Sequence, residues 1–116
     1  MGTRCMIGKE FGDTCHVIYV HFDGYPKGVG RVLLEKYNTD EAVNGLIALG
    51  DRSTLTMNPN PLEDGIYRQG PTAYPSNEKW CDVDQEYEYK WSLDEWWFRV
   101  PGNLWRSLTK ELNKAV

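Results

Sequence analysis

The chain has 116 residues, of which 41% are hydrophobic, 13% aromatic and 26% charged, with a formal net charge of −4. That length suits one domain, residues 1–116, burying roughly two-thirds of the surface its extended chain exposes, and that composition excludes disorder. No window approaches the roughly 18 uncharged apolar residues of a membrane span, the start MGTRCMIGKEF lacks the apolar core of a secretory signal, and the negative charge excludes the basic field that drives sequence-independent duplex binding.

A cytoplasmic protein with neither a membrane nor duplex nucleic acid among its partners is therefore expected. Cys5, Cys15 and Cys81 form an odd set without Cys-x-x-Cys spacing, which disfavours a disulfide framework and a zinc site. Free thiols are expected, with no metal and no cofactor. Charge is unevenly spread: residues 78–95 hold Glu78, Asp82, Asp84, Glu86, Glu88, Asp94 and Glu95 against only Lys79 and Lys90.

In chain order, residues 4–11 and 15–22 are rich in Ile, Val, Tyr and Phe, and Gly12-Asp13 between them suits a two-residue type II′ turn. A β-hairpin follows, with Cys5 facing Val20, Met6 facing Tyr19, Ile7 facing Ile18 and Arg4 facing His21. Cys5, Ile7, Phe11, Ile18, Val20 and Phe22 form the face predicted to pack on a core, while Met6, Val17 and Tyr19 lie on the other. After the loop HFDGYPKGVG, the residues Val29, Val32, Leu33, Leu34 and Tyr37 predict a helix. A second helix has Asn38 as its cap, Glu41 in the capping-box position, Val43, Leu46, Ile47 and Leu49 on its apolar side, and Gly50 as its C′ glycine.

The pattern fails over residues 51–80, which contain Pro59, Pro61, Pro71 and Pro75. The segment is either a functional loop or one that packs on its own Leu55, Met57, Leu62, Ile66, Tyr67 and Tyr74. Tyr87, Tyr89 and Trp91 then alternate with Glu86, Glu88 and Lys90, a period of two that predicts a strand. A four-residue connection over 92–95 leads to a second strand over 96–100, in which Trp96 and Trp97 point to opposite faces. Asn103 is placed to cap a terminal amphipathic helix carrying Leu104, Trp105, Leu108, Leu112 and Ala115. The sum is an α+β domain with a largely antiparallel sheet from two β-hairpins and about three helices.

The candidate binding site combines Arg4, His21, Asp23, Gly24, Tyr25, Lys27, Gly28, Gly30 and Arg31. Loop glycines let backbone approach a ligand, a helix N-terminus offers free N–H donors, and three basic side chains complement a phosphate or carboxylate. The opposing reading is a structural corner whose glycines serve packing. GVGRVL lacks the third glycine of the dinucleotide fingerprint. Strand parity separates His21 from Cys5, which argues against a Cys-His pair. The five tryptophans exceed what a strand pair can hide on one face, so Trp96 and Trp97 are candidate partner contacts. Hairpin edges and surplus tryptophans also point to a homo-oligomer as a way of covering both.

MGTR, HFDGYPKGVG, LLEKY and LIALGD together resemble a family of small phage proteins that begin Met-Gly-Thr-Arg and carry a His-Phe/Trp-Asp-Gly-Tyr-Pro loop before a helix. The resemblance covers residues 1–55. It implies a phage-encoded accessory protein acting in the cytoplasm of a bacterial host, marks Thr3, Arg4 and the 21–30 loop as the family's signature, and carries over no catalytic residue. By analogy, such proteins act by occupying something of the host's. The leading expectation is a non-enzymatic counter-defence or host-takeover protein that sequesters a phosphate-bearing, nucleotide-like ligand, with Arg4, His21, Lys27 and Arg31 as anion contacts and Tyr25 as a stacking surface. The second is an inhibitor that blocks a basic surface of a host defence protein with its acidic, Trp-rich hairpin. The third is a small enzyme acting on a nucleotide or amide with His21 and Asp23 as acid/base pair.

Overall fold

The computed structural model describes residues 3–57, 70–75, 79–80 and 84–113. Their strands are β1 (Cys5–Phe11), β2 (Thr14–Val20), β3 (Thr72–Pro75), β4 (Tyr87–Ser92), β5 (Glu95–Arg99) and β6 (Arg106–Ser107). A π-helical turn (Pro26–Gly30) runs into α1 (Arg31–Lys36), followed by α2 (Asp40–Ala48), with α3 (Leu108–Asn113) after β6. The fold is α+β, and its six-stranded sheet has the order β3-β2-β1-β4-β5-β6.

The first hairpin has the predicted register, Cys5 opposite Val20 through Phe11 opposite Thr14. Its turn uses Gly12 at φ +61°, the conformation a type II′ turn requires of its first central residue. Two features depart from a pair of separate hairpins. β1 and β4 pair in parallel, Cys5 beside Tyr87 and Ile7 beside Tyr89, so the two hairpins join into one mixed sheet. The 51–80 segment also contributes β3, which pairs antiparallel with β2, and Arg52 bridges to Val20. Leu55 is buried, whereas Pro59, Pro61, Leu62, Ile66 and Tyr67 lie outside the described residues.

Alternation along the strands sorts side chains to two covered faces. On one, Cys5, Ile7, Ile18, Val20, Tyr89, Trp91, Trp96 and Phe98 meet Val29, Leu33, Val43, Leu46, Ile47, Leu108 and Leu112 from the helices. On the other, Met6, Cys15 and Val17 pack with Trp80, flanked by Tyr19, Tyr74 and Trp105. Phe11 and Phe22, expected in the core, are 40% and 37% exposed. Phe11 sits at the turn end of the hairpin, where its ring lies tilted against that of His16 with centroids 4.6 Å apart. Phe22 lies beyond the last β1–β2 pair, where the chain turns away and its amide donates to the Ser53 carbonyl.

Element ends correct the sequence reading in three places. The α2 cap is Thr39, whose hydroxyl accepts from the Ala42 amide, one residue after the predicted Asn38; Gly50 does end the helix, at φ +78°. The β4–β5 connection is a two-residue turn, Leu93-Asp94, because Ser92 and Glu95 pair as well. The terminal helix starts at Leu108 and not near Asn103, since Arg106 and Ser107 are taken up by pairing with β5, and Leu104 is 87% exposed. Ala115 lies outside the described residues. No helix is long and apolar enough to cross a membrane among the described residues.

Gly8 shows why β1 tolerates a residue with poor strand propensity. A Cβ there would sit 2.8 Å from the Trp80 ring and 2.9 Å from the Cys15 sulfur, closer than packed atoms approach, so the missing side chain lets Trp80 lie against the sheet. Gly8→Ala is expected to lower stability by about 1–3 kcal/mol through overpacking. Gly45→Ala, in the exposed middle of α2 with nothing within 4 Å of the added Cβ, is expected to raise it by about 0.5–1 kcal/mol. Urea unfolding of both variants checks the contrast.

Candidate functional site

The HFDGYPKGVG loop is a filled corner. The Gly24 amide donates to the Thr3 carbonyl at 2.8 Å, and the Gly24 carbonyl accepts from the Tyr89 hydroxyl at 2.6 Å. A Cβ on Gly24 would meet Cys5 Cβ at 2.7 Å, and one on Gly28 would meet the Asp23 carbonyl at 2.4 Å. The glycine amides and that of Val29 are already spent: Gly28 and Gly30 donate to the Tyr25 carbonyl and Val29 to that of Asp23. The glycines thus serve close approach of the chain to itself, and the free N–H donors that an anion cradle needs are used within the turn.

The predicted contacts around this loop separate. The N-terminal segment does reach it, through Thr3. Arg4, however, places Nη1 3.6 Å from Asp84 Oδ2, and its Nε is buried with no hydrogen-bond partner among the described residues. His21 exchanges a 2.7 Å hydrogen bond with the Tyr19 hydroxyl through Nδ1 and meets Phe22 edge-on. Its amide donates to the Arg52 carbonyl, which carries this backbone away from β1 just where Arg4 would have faced it. Arg31 sits 3.9 Å from Glu35, one helical turn on. Asp23, Tyr25 and Lys27 are exposed, and Asp23 holds φ +60°.

A different concavity lies at the same end of the sheet, on its other face. Between the start of β4 and the end of β5 opens a cleft of about 780 Å³, with Lys79, Trp80, Asp84, Glu86, Glu88 and Arg99 among its lining residues. That volume falls within the usual range for small-ligand sites, roughly 300–1,000 Å³. Its floor is polar and tied. Glu88 is 2% exposed, accepting from Arg99 Nε at 2.6 Å and from Gln85 Nε2 at 2.9 Å. The Arg99 guanidinium in turn lies 4.1 Å from the centre of the Trp105 ring, and Lys90 approaches the same ring at 4.7 Å while pairing with Glu10 at 3.0 Å. Asp84 and Glu86 stand exposed at the rim.

The sequence reading missed this cleft, although part of its signal was present. The hairpin register that opposes Trp91 to Trp96 also opposes Glu88 to Arg99, so their cross-strand pairing was implied. What put the carboxylate out of water is Trp80 and Trp105 covering the second face, and no local pattern encodes that.

The tryptophans divide between roles. Trp96 is 1% exposed and its indole donates to the Tyr37 carbonyl at 2.6 Å; it is core and presents no surface to a partner, contrary to expectation. Trp97, on the opposite face, is half-buried and donates to the Ser92 carbonyl at 3.0 Å. Cys5 and Cys15 are buried free thiols, and Cys81 lies outside the described residues. Among the described residues, no group of three His, Cys, Asp or Glu could hold a metal ion. No family model, no curated protein and no solved structure matches the chain.

Burial pushes the Cys15 thiol up from 9.0 to about 12 and the Cys5 thiol further still. The unfolded chain therefore loses these protons near its ordinary thiol value while the folded chain keeps them. Stability is fully present below pH 9 and falls as pH rises toward 12, with a slope of about 1.4 kcal/mol per pH unit for each thiol. Urea unfolding at stepped pH, with Cys15→Ala to flatten the slope, checks this. At the cleft floor, Glu88→Ala leaves Arg99 without its buried counter-charge and is expected to cost about 3 kcal/mol, measured in the same way.

Proposed function

We propose that this chain works by occupancy: it sets an acidic, tryptophan-walled face against a basic surface of a bacterial host protein and blocks that surface on behalf of a phage. The observation that carries the reading is the cleft between β4 and β5. Glu88 and Arg99 neutralise one another at its floor, which leaves at the rim Glu86 and Asp84, the latter exposed although paired with Arg4, with Lys79 as the remaining cation among the lining residues. A lysine or arginine side chain fits this arrangement, its aliphatic stem against Trp80 and its cationic head between the rim carboxylates. Surplus negative charge around a concave surface also steers a basic partner into encounter and repels acidic competitors.

The sequestering of a phosphate-bearing ligand draws less support. The loop amides that would cradle a phosphate are hydrogen-bonded within the loop, and a phosphate in the cleft would face three carboxylates, Asp84, Glu86 and Glu88, with two cations, Lys79 and Arg99. The phage setting rests on the resemblance of residues 1–55. An inhibitor that acts by occupancy needs no nucleophile, in keeping with thiols held protonated by burial.

Affinity capture from bacterial lysate is expected to recover one stoichiometric protein, with recovery falling as salt rises and falling at least tenfold in the double variant Asp84→Lys/Glu86→Lys. Both residues are exposed, and because the variant also loses the Arg4–Asp84 pair, a thermal midpoint measured beside the capture confirms that it is folded. Recovery that ignores salt and survives this charge reversal would sink the cleft as the contact.

A further inference from the structure

The β4–β5 turn is built from a residue that works against its geometry. Leu93 and Asp94 hold φ +54° and +57° between the paired Ser92 and Glu95, so both central positions are left-handed, as in a type I′ turn. Asparagine, aspartate and glycine suit such positions, whereas leucine crowds its Cβ against the backbone. Burial gives nothing back, because Leu93 is 89% exposed. A strained, unburied leucine at a hairpin tip serves neither the turn nor the core, and strain of this kind concentrates at functional sites.

We infer that Leu93 is an intermolecular anchor, inserting from the hairpin tip into an apolar pocket on a protein partner whose rim carries lysines or arginines. The flanking charge sets the partner's chemistry. Asp94 is exposed and Glu95 half-buried beside it, so the leucine is presented inside negative charge and selects a pocket with a positive border. The same charge disfavours a second copy meeting tip to tip, which would oppose like carboxylates, and disfavours an anionic membrane surface. A depression of about 510 Å³ next to the tip, with Leu34, Asn38, Asp94 and Thr109 in its wall, gives the rim of such a pocket somewhere to sit.

The inference rests on the occupancy reading only for the partner's basic character. The cleft lies at the Glu88–Arg99 end of the hairpin and Leu93 at the other, so the two contacts can be removed separately. Leu93→Asn, a better turn residue, is expected to keep or raise the thermal midpoint while weakening binding to the protein recovered by wild type about tenfold or more, the scale of a hot-spot residue. A lowered midpoint would make the leucine a folding residue and overturn the anchor, as would unchanged affinity. Light scattering that shows a dimer dissolved by Leu93→Asn would assign the contact to a second copy, and Leu93-dependent binding to phosphatidylserine vesicles would assign it to a membrane; each overturns a protein partner. If Leu93→Asn abolishes capture while Asp84→Lys/Glu86→Lys leaves it intact, the anchor stands and the cleft falls. The converse result spares the cleft alone, and recovery of no stoichiometric protein by wild type overturns both.

Discussion

The parallel pairing of β1 with β4 is the constraint from which the rest of the molecule follows. It sets Cys5 beside Tyr87 and Lys9 beside Trp91, and just before the strands it lets the Glu86 amide donate to the Arg4 carbonyl at 2.8 Å. Parallel neighbours require a long crossover. The chain between them carries β2, the π-helical turn, α1, α2 and β3, and the helices close over one face. The same pairing makes β1 and β4 central strands, with neighbours on both edges, and their side chains are covered on both faces.

That covering is fixed by a few long-range polar contacts. Trp91 donates its indole proton to Asp40 at the start of α2 at 2.6 Å, and Trp96 donates to the carbonyl that ends α1. Tyr89 reaches the Gly24 carbonyl in the loop. Lys9, itself buried, bonds Asn44 and lies 3.8 Å from Asp40. Each aromatic supplies a large apolar body and one proton that must be bonded once water is gone. The second hairpin therefore holds the helices and the loop in place, and its tryptophans are dense because they carry this load as well as filling the core. Of the hairpin's own large apolar side chains, Trp97 stays half-buried on the far face and Leu93 stands exposed at the tip.

The geometry of the cleft comes from the same source. Glu88 shares the Met6 side of the sheet by register, and that side is roofed by Trp80 and Trp105. A carboxylate placed there loses water and needs a partner; Arg99 across the ladder and Gln85 before the strand provide it. The acidic rim, supplied by Asp84 and Glu86 outside the strand, stays exposed because the pairing stops at Tyr87. A tied floor and an exposed rim suit recognition of charge better than transfer of protons, since the buried carboxylate is committed and Asp84 and Glu86 face water.

Local chemistry in the sequence was enough to determine the first hairpin, its register and its glycine turn, the second hairpin's pairing, the C-terminal glycine of α2 and the α+β class. These features depend on residues within a few positions of one another, so periodicity and turn preference fix them. The sequence could not decide that β1 and β4 are neighbours, that 106–107 would join the sheet and shorten the last helix, or that the capping role passes from Asn38 to Thr39. The first depends on contact between segments far apart in the chain, where the hydrophobic pattern permits several pairings and packing selects one; the second follows from the pairing of β6 with β5, and the third from which of two adjacent polar side chains reaches the Ala42 amide. The same reason moved the candidate site. Glycine, proline and aspartate in HFDGYPKGVG have the same local signature whether a loop cradles a ligand or folds tightly upon its own chain, and only the Cys5, Thr3 and Tyr89 atoms packed against it distinguish the two.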